Sequence, residues 1–449
     1  MTVVTASARG MEIAMHIPSR RPRIRGWLVA VAGLLAWQLA AAGPAAAASG
    51  QLDPSFGGDG KVTTDFNGQA AANALALQDG KLVAAGSGSN GTTTDFALAR
   101  YRQDGALDPT FGTRGRVTTD FGNGSQATAL VVQADGKLVA AGTVSNDTGG
   151  DFALARYRPN GTLDPTFGTG GKVTIDFAGG ADAAAALAVQ ADGKLVVAGS
   201  ATVGTNGNFA LARLRPNGTL DPTFGTGGIV IVDIGGSFDD ARALVVQDGR
   251  VVAAGFTFGD DFASGDFALA RLRPNGTLDP TFGTAGIVTT DVAGSFDDAE
   301  ALILQDGKLI AGGTSFTGTT SDFALARYRP NGTLDPTFGT GGTVTTDLSG
   351  GVLGGDDLIN ALVIQDGRLV AAGFAFTGET STGFDFALAR YRLDGALDPA
   401  FGTGGKVTTD FGRGEDRAEA LVTQGDRLVA AGSTTGASSG QRFALARYR

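Results

Sequence analysis

Cysteine is absent from the 449-residue sequence, and histidine, methionine and tryptophan are confined to positions 1–48. Residues 49–449 therefore contain none of these four residue types. Their absence excludes disulfides, cysteine nucleophiles, Ser–His–carboxylate triads and histidine-ligated metals from that part of the chain. Catalysis there is restricted to carboxylate chemistry, so the composition favours a protein that is not an enzyme.

The segment at positions 1–48 has the order of a secretory signal peptide. A basic region that includes Arg20 and Arg21 precedes an uncharged apolar run at 27–42, and small residues follow as far as Ala48. The apolar run is too short and too poorly flanked to be a retained membrane anchor. We therefore predict that residues 1–48 are removed and that the protein is secreted or associated with the cell envelope. The export route is left open between general and twin-arginine export.

The chain is acidic, with a formal net charge of -10. An excess of negative charge keeps a domain in solution and repels phosphate backbones, so nucleic acid is not an expected partner. No membrane span is expected in residues 49–449, and we predict a monomer.

One unit recurs seven times after the predicted signal. Its clearest marker is the sequence LDPxFG, which returns at nearly regular intervals. The first leucines of these copies are Leu52, Leu107, Leu163, Leu220, Leu278, Leu334 and Leu397. A period near or slightly above about 50 residues is typical of solenoids, propellers and repeat arrays.

The strands predicted within one unit favour a propeller. In the second copy, ATALVVQ and KLVAAGT are apolar runs separated by Asp135-Gly136, which predicts a β-hairpin. FALARYR and KVTID supply a third and a fourth strand, and no window has helical periodicity. Four antiparallel strands per unit form the blade of a β-propeller. We therefore predict an all-β fold, in which residues 49–449 form a single seven-bladed β-propeller of seven repeats of about 57 residues.

The side chains on the two faces of the third strand differ in size, as packing between neighbouring blades requires. In FALARYR one face carries Phe and Leu and the other carries Ala. We expect the large face of one blade to interdigitate with the small face of the next.

The first and the last copies are incomplete in complementary ways. Gln51–Phe66 contains only the fourth strand of a blade, whereas Ala420–Arg449 contains the first three strands and lacks the fourth. Pairing the two would close the ring and cover two exposed strand edges. The side chains that this pairing is expected to bury are Leu52, Phe56, Val62 and Phe66.

Three sequence motifs in fixed order resemble a known family. LDPTFGTGGKVTIDF, ALVVQADGKLVAAG and DFALARYRPNGTLDP look like the delta-60 repeat, a bacterial propeller-type repeat of unassigned function. More distantly the pattern is similar to the NHL repeat, whose blades bind proteins or RNA or, in some relatives, host enzymes. The resemblance covers residues 51–449 and implies a propeller, but it implies no catalytic residue.

Three polar residue types recur in every copy, and we interpret them as structural. The glutamines that end the first strand are expected to satisfy backbone groups of the neighbouring hairpin. They are Gln78, Gln133, Gln190, Gln247, Gln305, Gln365 and Gln424. The arginine of FALAR and the aspartate of LDP are expected to pair within a blade. The seven arginines are Arg100, Arg156, Arg213, Arg271, Arg327, Arg390 and Arg447.

Function is expected where the copies differ, in the connections between the second and third strands and between the fourth strand and the next blade. Phenylalanines and acids are concentrated there in the fourth to sixth units. These candidate ligand-binding residues are Phe238, Asp239, Asp240, Phe256, Phe258, Asp260, Asp261, Phe262, Phe296, Asp297, Asp298, Phe316, Asp356, Phe374 and Phe376. The alternative is that these phenylalanines pack over the blades and the acids are solvated.

Three functions are compatible with this pattern. The leading hypothesis is a secreted, non-enzymatic propeller that binds a protein or a glycan through its variable face. The alternatives are a secreted polysaccharide hydrolase or lyase that uses carboxylates alone, and a passive cell-envelope scaffold. No cofactor is predicted; calcium held by loop carboxylates is left open, because no fixed ligand spacing of the EF-hand kind is present.

Overall fold

A computed structural model describes residues 49–89, 91–259, 264–294, 296–316, 318, 320–350, 355–378, 383–412, 414–436 and 440–449. The predicted signal peptide at residues 1–48 lies outside the described residues. Strands and turns account for the regular structure, and the described residues contain no helix, which confirms the all-β prediction. None of them therefore forms a helix with the length and apolarity needed to cross a bilayer.

Twenty-eight strands are present in the described residues. They are β1 (Lys61–Thr64), β2 (Ala70–Gln78), β3 (Lys81–Ser89), β4 (Thr94–Tyr101), β5 (Arg116–Thr119), β6 (Ser125–Val132), β7 (Leu138–Val144), β8 (Asp151–Tyr157), β9 (Lys172–Ile175), β10 (Asp182–Val189), β11 (Leu195–Val203), β12 (Asn206–Leu214), β13 (Ile229–Val232), β14 (Phe238–Gln247), β15 (Arg250–Phe258), β16 (Gly265–Leu272), β17 (Ile287–Thr290), β18 (Phe296–Gln305), β19 (Lys308–Phe316), β20 (Ser321–Tyr328), β21 (Thr343–Thr346), β22 (Asp357–Gln365), β23 (Arg368–Phe376), β24 (Phe384–Tyr391), β25 (Lys406–Thr409), β26 (Asp416–Gln424), β27 (Arg427–Thr435) and β28 (Gln441–Tyr448).

The strands are arranged in antiparallel groups of four. Separate four-stranded sheets are formed by β2–β5, by β6–β9, by β22–β25 and by β26–β28 together with β1. The strands from β10 to β21 form one twelve-stranded sheet, in which three groups of four are joined by single parallel bridges, Gly207 to Phe238 and Gly265 to Phe296. No sheet is closed on itself within the described part of the chain. We name the strands of each group A to D in chain order, with β1 in the D place beside β28.

Strands from the two extremities of the described chain share one sheet. β1 pairs antiparallel with β28, from Lys61 opposite Ala446 to Thr64 opposite Phe443. Phe66 packs its ring 4.8 Å from the ring of Phe443. Phe66 and Phe56 are buried in the same apolar cluster, as the sequence predicted for the side chains beside β1.

The A strands contact one another in succession. β2 contacts β6, and contacts continue through β10, β14, β18 and β22 to β26. β26 also contacts β2. Position along the chain and position in space therefore follow the same order for these seven strands.

The apolar core lies between neighbouring groups. Between β16 and β20, the large side chains of Phe267 and Leu269 share a buried cluster with the small side chains of Ala324 and Ala326. The same large and small sides of FALAR meet between β8 and β12. This confirms the predicted interdigitation, which buries the apolar faces of FALAR without a helical layer.

The A–B turns follow from their Asp-Gly pairs. Asp79 and Gly80 have φ angles of 49° and 77°, and both central residues of a type I′ hairpin turn require positive φ. In the second group, Ala134 lengthens this turn and Gly136 has the positive φ, at 77°. The Asp-Gly signal therefore predicted the hairpins, although not a single turn type.

Every A strand contains a β-bulge near its start. The register between each A and B strand shifts by one residue, so that one A-strand residue has no partner across the pair. A Cβ atom on Gly255 would overlap the carbonyl oxygen of Asp240, so the B-strand glycine makes room for the bulge. The bulge residues of the seven A strands are Asn73, Thr128, Ala185, Arg242, Glu300, Asn360 and Glu419.

Candidate functional site

The end of the sheets that carries the A–B and C–D turns is built from one repeated module. In the second copy, Arg156 Nε lies 3.0 Å from Asp164 Oδ2, and Arg156 Nη2 donates to Thr166 Oγ1 at 3.0 Å. The guanidinium also stacks on Phe167, with Cζ 4.7 Å from the ring centroid. We call this the Arg–Asp module; Arg156 Nη1 also donates to the Pro216 carbonyl of the next group and so links neighbours.

The same ion pair is present in all seven copies. The pairs are Arg100–Asp108, Arg156–Asp164, Arg213–Asp221, Arg271–Asp279, Arg327–Asp335, Arg390–Asp398 and Arg447–Asp53. Their repetition and burial agree with the structural role that the sequence analysis assigned to them.

The module holds its aspartates ionised. Burial alone would raise the pKa of Asp164, but hydrogen bonds from the Thr166 side chain and backbone and the charges of Arg156 and Lys137 lower it to about 2. The pKa values of the other six LDP aspartates are lowered in the same way. A fully ionised, fully partnered carboxylate is suited to structure rather than to proton transfer.

The recurrent glutamines also bind their neighbours. Gln78 Nε2 donates to the Gly136 carbonyl in the next A–B turn at 2.6 Å, and Gln424 Nε2 donates to Gly80 at 3.0 Å. Equivalent bonds are made by Gln247, Gln305 and Gln365. In these five copies the amide satisfies a backbone carbonyl, as expected of a structural residue.

Two shallow pockets lie at this end, with volumes of about 320 and 500 Å³. One is lined by Gln305, Lys308 and Arg327, and the other by Lys194 and Arg213 among others. Both pockets are the spaces between successive Arg–Asp modules. Because the arginines that line them belong to modules and the lysines pair with module aspartates, we assign no ligand to these pockets.

The opposite end contains the residues that the sequence analysis singled out, although several are strand residues. Phe238–Asp240 are the first residues of β14, and Phe296–Asp298 are the first residues of β18. The expectation that they lie in loops is therefore wrong. The ladder extends because Phe238 pairs with Phe258 across the A and B strands. Asp260, Asp261 and Phe262 lie outside the described residues.

Four of the predicted phenylalanines form one cluster. The rings of Phe258 and Phe296 stack 5.1 Å apart, and Phe256 meets Phe258 edge-on at 5.3 Å. Phe238 lies 6.0 Å from Phe256. We call Phe238, Phe256, Phe258 and Phe296 the phenylalanine cluster; Phe256 is buried and the other three are half-buried.

A second aromatic group occupies the same end of the sheet β22–β25. Phe374 and Phe376 lie 5.3 and 5.6 Å from Phe384, a ring that the sequence analysis did not select. Arg417 of the neighbouring A strand stacks on both Phe374 and Phe384, with Cζ 4.8 and 5.0 Å from their centroids. This group is built around an arginine.

The remaining predicted residues have local structural contacts. Asp239 Oδ2 accepts a hydrogen bond from Ile234 N at 2.8 Å, and Asp297 Oδ2 accepts one from Val292 N at 2.6 Å. Phe316 lies opposite Phe296 in the A–B ladder. Asp356 forms an isolated bridge with Ser321. Asp239 and Asp297 are buried and fix the connection before their strands.

The A strands bring charged side chains together beside the phenylalanine cluster. Arg242 Nη2 lies 3.2 Å from Asp240 Oδ2, and Arg242 Nε lies 3.8 Å from Glu300 Oε1 on the next A strand. Arg242 Cζ also lies 5.5 Å from the Phe256 ring centroid. Asp298, close to Glu300 on the same strand, adds a third carboxyl to this group.

Two further charged residues belong to the same set. Glu419 and Arg417 lie on β26. The charges of Glu300 and Arg417 are close enough to shift the pKa of Glu419. We call Asp240, Arg242, Asp298, Glu300, Arg417 and Glu419 the inner polar cluster. It contains four carboxyl groups and two guanidinium groups.

Three of the carboxyl groups hold protons more tightly than usual. Burial raises the pKa of Glu419 to about 7, and the charge of Glu300 raises it while Arg417 lowers it. Burial also raises the pKa of Asp240 to about 6, against the opposing charge of Arg242. The pKa of Asp298 is raised well above its ordinary value by burial and by the adjacent Glu300. Carboxyl groups that titrate near neutral pH donate or accept hydrogen bonds.

The sequence contains a signal for this cluster that lies outside the loops. Within an otherwise repeated A strand, the bulge residue and the residue two places before it differ between copies. The earlier positions hold Ala71, Gln126, Ala183, Asp240, Asp298, Leu358 and Arg417. An extra, unpaired residue re-aims its side chain at a bulge, which is how Arg242, Glu300 and Glu419 come to converge.

A comparison with protein families decides the architecture. Six segments, at residues 77–111, 133–167, 190–224, 247–282, 304–338 and 364–401, match the model of a domain of unknown function (DUF5122) described as a β-propeller. The chain is a β-propeller repeat protein. Each four-stranded group of this propeller is hereafter called a blade.

Three solved structures are similar to the chain at low identity. A protein of unknown function from Dyadobacter fermentans is 11% identical, with 87% of this chain and 97% of that chain covered and a TM-score of 0.42. The propeller domain of the Trilobed protease from Pyrococcus furiosus is 10% identical, with 86% and 94% covered and a TM-score of 0.45. The polysaccharide lyase Uly1 is 8% identical, with 84% and 90% covered and a TM-score of 0.44. No curated protein matches the chain.

Proposed function

We propose that this protein is a secreted propeller that binds a protein or a glycan at the inner polar cluster and the adjoining phenylalanines. The observation that carries the proposal is the convergence of six charged side chains at non-repeating positions of the A strands. Positions that only build the blade are expected to hold the same residue in every copy. Ligand recognition instead requires unique groups on a rigid scaffold.

The proposal includes a ring of seven blades. The described strands divide into seven groups of four, β1 completes the group of β26–β28, and β26 contacts β2. In such a ring the A strands face the axis, so the inner polar cluster lies around a common centre. A ligand there is reached by side chains from blades that are distant in sequence.

The chemistry of the cluster favours a ligand with cationic or hydroxyl groups. Four carboxyl groups outnumber two guanidinium groups, which are already held against Phe256 and against Phe374 and Phe384. Carboxylates bind ammonium and guanidinium groups, and they accept hydrogen bonds from sugar hydroxyls. The half-buried rings beside them offer apolar contact for the body of the ligand.

Binding to a panel of basic peptides, neutral peptides, amino-sugar oligosaccharides and neutral oligosaccharides tests this proposal. We expect at least one cationic or glycan ligand to bind, with an affinity that weakens as salt is raised. A double variant, Asp240→Asn with Glu300→Gln, is expected to weaken that binding by tenfold or more.

The matched control removes two charges at the other end of the sheets. Asp104→Asn with Asp192→Asn makes the same change in net charge at exposed turn positions. We expect this control to change the affinity by less than twofold. If both variants weaken binding equally, attraction to the whole acidic surface is responsible and the site is wrongly placed; if no ligand binds, the passive scaffold is favoured.

A second candidate function is a polysaccharide hydrolase or lyase that uses carboxyl groups alone. The raised pKa values of Asp298 and Glu419 favour it, because a general acid must hold its proton near neutral pH. The test is turnover of polysaccharides by the protein and by its Glu419→Gln variant. Turnover that this variant abolishes would replace binding with catalysis; binding without turnover would leave the first proposal in place.

A further inference from the structure

Another set of carboxylates lies between neighbouring blades, outside the proposed ligand site. At three junctions, one carboxylate oxygen from each of three aspartates lies within 4.8 Å of the others. The three triads are Asp151, Asp176 and Asp182; Asp322, Asp347 and Asp357; and Asp385, Asp410 and Asp416.

Strand register explains why each triad forms. In the first triad, Phe152 pairs with Ile175 in the C–D ladder, so that Asp151 and Asp176 are the next residues on either side. Asp182 opens the A strand of the following blade, and its N donates to Gly150 O at 2.9 Å. The fold thus places two acids opposite each other, which is unfavourable, and brings a third beside them.

The third aspartate of each triad is buried with one oxygen unused. Asp182 is 1% exposed, and its Oδ2 accepts a hydrogen bond from Phe177 N at 2.8 Å. Within the described residues, Asp182 Oδ1 has no hydrogen-bond partner, and the same is true of Oδ1 in Asp357 and Asp416. A buried carboxylate that leaves one oxygen without a donor, and that lies beside two further carboxylates, favours a positive partner.

The junction between the last blade and the first shows what happens when the third acid is absent. There Ala70 takes the position of Asp182, and Arg442 takes the position of Asp151. Arg442 Nε lies 4.0 Å from Asp65 Oδ2, where Asp65 corresponds to Asp176. At this junction the protein supplies its own cation.

We propose that each of the three aspartate triads binds one calcium ion and that these ions join neighbouring blades. The ligands are all oxygens, which suits calcium and magnesium. Calcium accepts oxygens at about 2.3–2.6 Å, so ligands on opposite sides of the ion lie up to about 5 Å apart. Magnesium requires about 2.0–2.1 Å, which limits that separation to about 4.2 Å. The triad oxygens lie within 4.8 Å of one another, inside the separation that calcium spans. Magnesium keeps several waters and is usually bound through only one or two carboxylates, so three converging carboxylates favour calcium.

The three triads share no residue with the inner polar cluster or the phenylalanine cluster. Each ion would contact the C and D strands of one blade and the A strand of the next. It would neutralise three carboxylates that otherwise repel one another. Because the triads exist only in the folded chain, calcium stabilises the native state increasingly as its concentration rises.

The test is calorimetric titration of calcium into chelator-treated protein, together with the melting temperature in calcium and in chelator. We expect three ions per chain and a melting temperature that rises with calcium concentration. Asp176→Asn is expected to reduce the stoichiometry by one. Asp176 is exposed, and asparagine retains the side-chain oxygen that accepts from Ala178 N, so this variant is expected to fold.

Asp65→Asn is the matched control, because Asp65 occupies the same repeat position at the junction that contains Arg442. We expect it to leave the stoichiometry unchanged. Absence of both a calcium titration and a melting shift would overturn the proposal. So would a stoichiometry that Asp176→Asn leaves intact, or a preference for magnesium over calcium in the same titration.

Discussion

The two ends of the blades use their polar residues in opposite ways. At the A–B and C–D turns, the ion pair of the Arg–Asp module appears in every copy. At the D–A and B–C end, the bulge residue varies among Asn, Thr, Ala, Arg and Glu from one A strand to another. The repeated polar residues therefore hold blades together in one fixed way, whereas the varied ones differ from copy to copy in charge and in what they contact.

The two ends also differ in electrostatics. The aspartates of the Arg–Asp modules have lowered pKa values because hydrogen-bond donors and arginines surround them. The carboxyl groups of Asp240, Asp298 and Glu419 in the inner polar cluster have raised pKa values because they are buried beside other acids. One end is therefore stabilised by ionisation, and the other is destabilised by it.

Lowering the pH is expected to have the largest effect on stability, because it protonates the aspartates of the Arg–Asp modules. The folded-state pKa of each LDP aspartate lies below its unfolded value, so the stabilisation is present above about pH 4 and is lost as pH falls through the folded pKa, which for Asp164 is about 2. We expect cooperative unfolding between pH 4 and pH 2, measured by circular dichroism. Full stability at pH 2 would show that the ionised aspartates of the modules are not a main source of the stability of the protein.

Removal of one module arginine is expected to have the next largest effect. Arg156→Ala leaves Asp164 buried without its charge partner, which costs about 3–5 kcal/mol in the free energy of unfolding measured with urea. Arg158→Ala, on the exposed turn that follows the same strand, is the control and is expected to cost less than about 0.5 kcal/mol. Equal losses in the two variants would contradict a structural role specific to the module.

Neutralising Glu419 is expected to increase the free energy of unfolding, whereas removal of Arg156 decreases it. Its folded-state pKa of about 7 lies above the ordinary value of 4.5, so its contribution to stability declines as pH rises between these values. Glu419→Gln should therefore gain stability at pH 8, on the order of 3 kcal/mol, with a gain of less than about 1 kcal/mol at pH 5. Urea unfolding at both pH values measures this difference. The exposed Asp104→Asn serves as the control, and a gain that is the same at both pH values would refute the electrostatic explanation.

The smallest expected effect concerns a bulge residue outside the inner polar cluster. Asn360 Nδ2 donates to the Ala418 carbonyl of the next A strand at 2.9 Å. Asn360→Ala should cost about 1 kcal/mol, because one hydrogen bond is lost at a position where another blade already has Ala185. Thermal unfolding provides the measurement. A loss as large as that of Arg156→Ala would mean that the varied positions are as structural as the repeated ones.

Sequence periodicity was sufficient for the strands and for the Arg–Asp module. LDPxFG and FALAR recur with fixed partners, so Arg156 and Asp164 could be paired from their positions relative to one turn. The candidate site was only half predictable. Asp240, Asp298 and the phenylalanine cluster stand out as departures from the repeat, but Arg242, Glu300 and Glu419 depart within a strand that otherwise appears structural.

Arg242, Glu300 and Glu419 were not predicted because each is the bulge residue of its A strand. Alternation along a regular strand assigns each residue to one face, and a bulge breaks that alternation at the residue that it inserts. The aspartate triads were missed for a related reason, because the members of each triad come from two strands and from the residue that follows a third. The interval from Asp151 to Asp176 nevertheless equals the interval from Asp322 to Asp347, so part of the pattern was present in the sequence.

The pairing of β1 with β28 also constrains the order of folding. The two strands are separated by nearly the whole described chain, and closing so long a loop costs roughly 5 kcal/mol of chain entropy. During synthesis β1 has no partner until β28 emerges, while intervening blades pair locally as they are made. Phe56 and Phe66 can meet residues of the sheet β2–β5, such as Ala72 and Tyr101, early in synthesis, but they lack Phe443 and Leu445 until the last sheet is completed.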